Sequence, residues 1–332
     1  MNKKVSLTGI KPTGMPHLGN YVGSIRPALE LAKDFDARYF IADYHALNQI
    51  KDPVKLKDMT FEVAAAWLAC GLDPNSVLFY RQSDVPETFE LATILMAFTP
   101  KGLMNRAHAY KAVVQQNEED GNAQDDGVNI GLFTYPILMS ADILLFDADV
   151  VPVGKDQLQH LEMANDIAQS INFNYKSEIL KLPQAFTHDN AGLIVGLDGR
   201  KMSKSYNNEI SLFLPEKKLR KIIMKIVTNS QTIEEPKDPE TCNVFSLYKV
   251  FATPEQQQQL KERYLAGGLG WGDAKQALFE AINEQLKQPR EKYFELLENR
   301  EYVDSVLKEG AEKARVIASA TIKRLRKAIG ID

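Results

Sequence analysis

Along the first two-thirds of the chain, apolar positions alternate between short continuous runs and runs that recur every three to four residues. Short runs fit buried strands, and the longer period fits amphipathic helices. Lys4–Leu7 reads as a strand and is followed by a loop rich in glycine and proline, TGIKPTGMPHLGN. Tyr21 to Lys33 reads as a helix with Ile25, Leu29 and Ala32 on one face, and Ala37–Ile41 as a second apolar strand. Asp52-Pro53 offers an N-cap followed by proline at the first helical position, opening a helix that runs to Ala69 and ends at Gly71. Ser76–Tyr80 reads as a strand, Pro86–Phe98 and Tyr135–Leu145 as helices, and Asp149–Val153 as a buried strand. Asp156–Ser170 is a further helix, with Leu158, Leu161 and Ile167 at helical spacing. The polar, acidic run at 115–127 (QQNEEDGNAQDDG) reads as a mobile loop. Strands alternating with helices predict an α/β fold built on a parallel, doubly wound, Rossmann-like sheet.

The rhythm changes after residues 201–205. From Pro215 onward the pattern is almost wholly helical: Glu216–Val227, Val244–Phe251, Pro254–Tyr264, Asp273–Leu286, Arg290–Glu298 and Tyr302–Ile329. The expected organisation is an α/β domain over residues 1–200 and an all-helical C-terminal domain over 206–332, with the last helix (about 305–330) able to pack back on the first domain.

Composition sets bounds without naming a function. The chain has 332 residues, 44% hydrophobic and 25% charged, which is ordinary for a globular protein. No run of about 18 apolar residues suggests a membrane span. The N-terminus, MNKKVSLTGI, lacks the apolar stretch and cleavage site of a signal peptide. Cys70 and Cys242 are far apart and form no CxxC pattern, so a reducing cytoplasm is the expected compartment. A net charge of −4 does not advertise nucleic-acid binding. The C-terminal run KARVIASATIKRLRKAIG nevertheless carries Lys313, Arg315, Lys323, Arg324, Arg326 and Lys327 with no acid among them. Such a run fits a phosphate-binding stripe, and equally a solvated helix face with cations near its C-terminal dipole.

Two segments carry chemistry. In the first, Gly9 to Asn20, a glycine-rich loop follows a strand and enters a helix, the place where an open parallel sheet binds ligands. His17 and Asn20 stand one helical turn apart there and can both donate to phosphate oxygens. The loop is neither a GxxxxGK(S/T) P-loop nor a GxGxxG turn. The second is Lys201-Met202-Ser203-Lys204-Ser205, preceded by Gly199-Arg200. Two lysines three apart with two hydroxyls form a cationic clamp suited to a leaving pyrophosphate. A given pentapeptide arises by chance in a chain of this length about once in 10⁴.

The PxxxxHLGN loop resembles the HIGH signature of class I aminoacyl-tRNA synthetases, and KMSKS is their second signature. GLFTYPILMSADILL (131–145) with VPVGKDQLQH (151–160), GGLGWGD (267–273) and EGAEKA (309–314) are similar to the bacterial tryptophan-activating members, so the resemblance covers essentially the whole chain. It implies ATP-dependent activation of L-tryptophan, transfer to tRNA(Trp), Mg2+ bound through ATP, and a homodimer. It further implies catalytic roles for Lys201, Lys204, Lys111, His17 and Asn20. ATP would meet Lys11, Pro12, Thr13, Gly19 and Asn20, then Gly154, Lys155, Asp156 and Ile194, and finally Lys201, Met202, Ser203, Lys204 and Ser205. Tryptophan would meet Leu7, Met139, Val151 and Val153 as walls, Tyr135 and Gln157 at its α-amino group, His45 near the same pocket, and Asp142 at the indole N–H. A lone acid in the apolar run MSADILLF is costly without a partner, which favours a site role for Asp142. Asp156 with Gln159 also fits a capping box.

Several positions depart from the commoner family pattern. Asn20 replaces the last histidine of the first signature and cannot titrate, which points to electrostatic positioning. Tyr206 follows KMSKS in place of aspartate, and Lys11 and Leu7 stand where glutamine and phenylalanine are common. The rival readings are a tyrosine-activating synthetase, which would need a polar partner for a phenol where this chain has Leu7, and a synthetase-like regulatory protein without catalysis, against which Lys201 and Lys204 count. A third is an α/β nucleotidyltransferase for another small substrate, against which the large helical region counts.

Overall fold

A computed structural model describes residues 3–154, 157–186 and 194–331. At its centre is β1 (Val5–Ile10), flanked by β2 (Asp36–Ile41) and then β3 (Leu78–Arg81) on one side, and by β4 (Val150–Pro152) and then β5 (Gln184–Phe186) on the other. Every pairing is parallel. The doubly wound sheet expected from the alternation is therefore present, with β5 added. That strand is three residues long and mostly exposed, so it carries no apolar signal to read.

The period of two along β2 sorts the core into two faces. Tyr39 and Ile41 join Ile10, Leu18, Val22 and Trp67 on one side, whereas Phe40 joins Leu7, Tyr80 and Val85 on the other. On the first side lies α1 (Leu18–Asn20), which passes through a π turn (Tyr21–Ile25) into α2 (Arg26–Leu31). Pro27 explains the widened turn: it has no N–H, and its ring would clash with the carbonyl four residues back. The short α3 (Asp43–Ala46) and the long α4 (Pro53–Ala69) follow β2. Asp52 accepts the N–H groups of Val54 and Lys55, so the N-cap works as the sequence indicates.

Between β3 and β4 come α5 (Glu87–Ala97), α6 (Lys101–Met104), α7 (His108–Asp120) and α8 (Ile130–Leu144), and α9 (Leu158–Asn174) links β4 to β5. Here the reading of 115–127 as a mobile loop is corrected, since residues 115–120 belong to α7. Polar pairs four apart stabilise that turn: Gln115 donates to Glu119 and Gln116 to Asp120. Buried Asn117 then donates to the Gln124 and Asp126 carbonyls, and Gly121 closes the helix in the left-handed region at φ 73°.

The remainder is helical: α10 (Glu216–Ile223), α11 (Asn243–Phe251), α12 (Pro254–Ala266), α13 (Trp271–Glu298) and α14 (Arg300–Ile329). Helix α13 replaces the two helices expected on either side of Pro289. The proline forfeits one backbone bond, but Leu286, Arg290, Tyr293 and Leu296 stay buried along one face, and Tyr293 stacks on Phe213 with centroids 4.1 Å apart. Continuous packing outweighs the lost bond.

Helix α14 runs back along β3 and covers that edge of the sheet. Contact is backbone to backbone: a Cβ at Gly310 would lie 1.8 Å from the Phe79 carbonyl oxygen. Arg315 pairs with Glu87, Arg324 with Asp147 and Arg326 with Glu90, so half of the cationic stripe fastens the helix to its neighbours. Gly310→Ala is expected to destabilise the fold by about 3 kcal/mol, because helix and strand must separate. Urea unfolding checks this; an unchanged midpoint would contradict the close docking.

Candidate active site

β1 and β4 are neighbours whose onward connections leave in opposite directions, and the carboxyl ends of such a pair leave a crevice. A cavity of about 290 Å³ occupies it. Leu7, Gly9 and Lys11 enter from β1, Val151 to Gly154 from β4, Phe40 and Ala42 from β2, and Tyr135, Met139, Asp142 and Ile143 from α8, with His45 and Gln157 closing the wall. Gly9 is required, since a Cβ there would sit 2.8 Å from the Phe40 ring. All the side chains assigned above to tryptophan (Leu7, His45, Tyr135, Met139, Asp142, Val151, Val153 and Gln157) line this one cavity.

Asp142 is 3% exposed and is held by two donors. His45 Nε2 lies 2.8 Å from Oδ2, and Gln82 Nε2 lies 2.8 Å from Oδ1 and 3.0 Å from Oδ2. Burial raises the carboxyl pKa, and the His45 and Gln82 bonds act against it. Gln82 is itself buried and accepts the Tyr44 N–H at 3.2 Å, so its amide can face the carboxylate only with its NH₂ group. Sequence reasoning missed Gln82. The available signal is that a buried carboxylate demands donors, and Gln82 follows β3 directly at the carboxyl end of the sheet. Among the described residues, buried His45 Nδ1 has no hydrogen-bond partner. Across the cavity, the Tyr135 hydroxyl lies 3.1 Å from Gln157 Oε1 and 3.3 Å from His160 Nδ1, with its ring edge-on to both His45 and His160. His160 is another residue the sequence did not single out.

A second cavity of about 210 Å³ adjoins the first, lined by Gly9, Lys11, Thr13, Gly14 and Asn20 with Ser24 and Trp67 behind them. Lys11 lines both cavities, and burial lowers its pKa. His17 and Asn20 form a reciprocal cap on α1: Asn20 Oδ1 accepts the His17 N–H at 3.0 Å, and His17 Nδ1 accepts the Asn20 N–H at 3.3 Å. An Nδ1 that accepts leaves the ring proton on Nε2. Burial, and then the Lys204 charge, lower the His17 pKa against an opposing pull from Glu209, so the ring is a neutral donor at pH 7. Gly19 has no room for a side chain, since a Cβ would lie 2.8 Å from the His17 ring.

The two signature segments are stitched together. Leu18 donates to the Ile210 carbonyl and Leu212 to the Pro16 carbonyl, each at 2.9 Å. Lys204 Nζ donates to the Thr13 carbonyl at 2.6 Å. Pro12 is buried within the first loop, and Lys201 is exposed on the second. Ser203 and Ser205 share a hydroxyl bond of 2.7 Å. Met202 and Ile194 are buried beneath the loop, joined by a 2.8 Å backbone bond from Met202 to Ile194. Lys111 lines a separate depression with Tyr110, Val114 and Gln124, and belongs to neither cavity. Lys155 and Asp156 lie outside the described residues.

An apolar cavity ending in a held carboxylate, opening onto a phosphate-sized space flanked by lysines and a neutral histidine, suits joining a small amphipathic acid to a nucleotide. Comparison with known proteins agrees. A family profile described as class I tRNA synthetases (W and Y) matches residues 2–287. The tryptophan–tRNA ligase of Bordetella parapertussis is 52% identical, over 100% of this chain and 74% of its own length. That of Neisseria meningitidis is 50% identical, over 100% of this chain and 99% of its own. The crystal structure of Campylobacter jejuni tryptophanyl-tRNA synthetase complexed with ADP and tryptophan superposes with a TM-score of 0.89 at 44% identity, covering 98% of this chain and 99% of that one. The chain therefore belongs to the class I tRNA synthetases of the tryptophan and tyrosine group.

Proposed function

We propose that the chain is a tryptophan–tRNA ligase, which activates L-tryptophan with ATP and transfers it to tRNA(Trp). One observation carries the choice of amino acid: the apolar cavity walled by Leu7, Phe40, Val151 and Val153 contains a buried carboxylate, Asp142. His45 and Gln82 occupy most of its acceptor capacity and leave room for one further donor, which an indole N–H supplies. A phenol differs in shape, and Leu7, within β1, gives its hydroxyl no polar partner on that wall. The relatives named above and their tryptophan-bound structure support the same choice.

The tryptophan carboxylate attacks the α-phosphorus of ATP in line, and pyrophosphate leaves. Lys11, lining both cavities, stands where carboxylate and α-phosphate meet, and Tyr135 with Gln157 orients the α-amino group. His17 Nε2–H and Asn20 donate to phosphate oxygens, and Lys201 and Lys204 take up charge on the leaving pyrophosphate. Gly154, at the wall of the first cavity, is the contact for the ribose. The lysines of the signature loops are phosphate partners and cannot ligate a dication, so Mg2+ would be held through the ATP phosphates, where it would add to the neutralisation of their charge. The terminal ribose hydroxyl of tRNA then attacks the acyl carbon of the adenylate, forming the ester as AMP leaves. Helices α10 to α13 serve as the anticodon reader of a cytoplasmic homodimer. Charging of unfractionated tRNA tests this: labelled tryptophan becomes acid-precipitable only with ATP present, and incorporation of tyrosine in its place would overturn the assignment.

A further inference from the structure

Asn208 lies three residues beyond Ser205 and is 2% exposed. Its amide is spent on the signature loop. Oδ1 accepts the Ser203 N–H at 2.8 Å, and Nδ2 donates to the Lys201 carbonyl at 3.1 Å and to Asp198 Oδ1 at 2.7 Å. The preceding residue, Asn207, takes a left-handed φ of 50°, which reverses the chain and directs residue 208 beneath the loop. Gly196 makes the space, since a Cβ there would lie 2.4 Å from the Asn208 amide.

Asp198 is anchored in turn. Its carboxylate accepts the Arg200 N–H at 3.0 Å and the Arg200 guanidinium at 2.7 Å and 2.6 Å. The guanidinium lies 4.5 Å over the Tyr206 ring. Tyr206, the residue that departs from the common aspartate, thus closes the brace from outside. The Asn208 bond, ahead of the Arg200 bonds, holds the Asp198 carboxyl down at about 2, so the anchor is ionised throughout the working pH range.

We propose that Asn208 is the positioning residue of the KMSKS loop: it ties the Lys201 carbonyl and the Ser203 N–H to a fixed Asp198 carboxylate and so sets where Lys201 and Lys204 meet the leaving pyrophosphate. The bonds end on the loop's own backbone, and the position requires an acceptor and two donors in one planar group, which only an amide of this length provides. Aspartate keeps the acceptor for Ser203 but loses both donors and faces Asp198 with a like charge.

The test compares Asn208→Ala and Asn208→Asp with the exchanged pair Asp198→Asn/Asn208→Asp, following ATP–pyrophosphate exchange, both KM values and thermal unfolding of the full chain. Each single variant is expected to lower kcat about 100-fold with the tryptophan KM unchanged, the cost of misplacing a charge by about an ångström. The exchanged pair, in which the amide now donates from position 198, is expected to recover about tenfold of that loss. Wild-type kcat and ATP KM in both single variants would overturn the proposal. So would a loss that merely follows the fraction of folded protein. If a single variant does not fold, the pair decides: a folded pair with kcat above the Asn208→Ala level or regained from an inactive single supports the proposal, and a folded pair without recovery overturns it.

Discussion

Replacing Asp142 with alanine raises the tryptophan KM about 100-fold and leaves the ATP KM near its starting value, since a hydrogen bond to a charged acceptor contributes about 2–3 kcal/mol. The side chain lines the apolar cavity and not the second one beside the first signature loop, so its loss touches one substrate only. Removal also leaves Gln82 Nε2 and His45 Nε2 facing an empty site, which adds to the cost of keeping the cavity in shape. Asp142→Asn is expected to fare little better, because Gln82 Nε2 donates to both carboxylate oxygens and would meet the new NH₂ group in either orientation. Steady-state exchange with varied tryptophan reads the effect. An unchanged KM would remove Asp142 from substrate recognition.

Lys204→Ala is expected to lower kcat for the exchange reaction about 1000-fold at saturating tryptophan, with the tryptophan KM unaffected. Charge grows on the pyrophosphate as it leaves, and removing one donor aimed at such charge costs about 10²–10³ in rate. In the present structure Lys204 is tied to the Thr13 carbonyl at 2.6 Å, so it already bridges the two signature segments and exchanges that carbonyl for a phosphate oxygen when ATP binds. Its pKa is lowered by burial, with Glu209 and Glu62 opposing the shift. Pre-steady-state formation of the adenylate, measured with wild-type enzyme alongside, separates this loss from slower product release. A variant that forms adenylate at the wild-type rate would contradict the role.

Much of the architecture was legible because burial imposes a period. Tyr39, Phe40 and Ile41 alternate between the two faces of a sheet packed on both sides, and a short unbroken apolar run is what burial on both faces requires of a strand. What was not legible depends on partners distant in sequence. Strand β5 is short and exposed, so its pairing with β4 leaves no pattern. Residues 115–120 are polar enough to pass for a loop, and their helix rests on Asn117 reaching across to residues 124 and 126. Pro289 signals a break that packing around Tyr293 overrides.

The site divides in the same way. KMSKS and HLGN announce themselves because their residue types and order are improbable by chance. Gln82 and Asn208 are polar residues without an evident motif, and their importance becomes visible only when a buried carboxylate and a tight loop are seen to need donors. Gly310 reads as an ordinary helical glycine until the Phe79 carbonyl appears against it.

The most direct test of the central claim is amino-acid-dependent exchange of labelled pyrophosphate into ATP by the purified chain. Exchange that requires tryptophan and is not supported by tyrosine is the predicted result. Exchange with tyrosine in place of tryptophan would contradict the reading of the Asp142 cavity, and exchange with neither would contradict the enzyme itself.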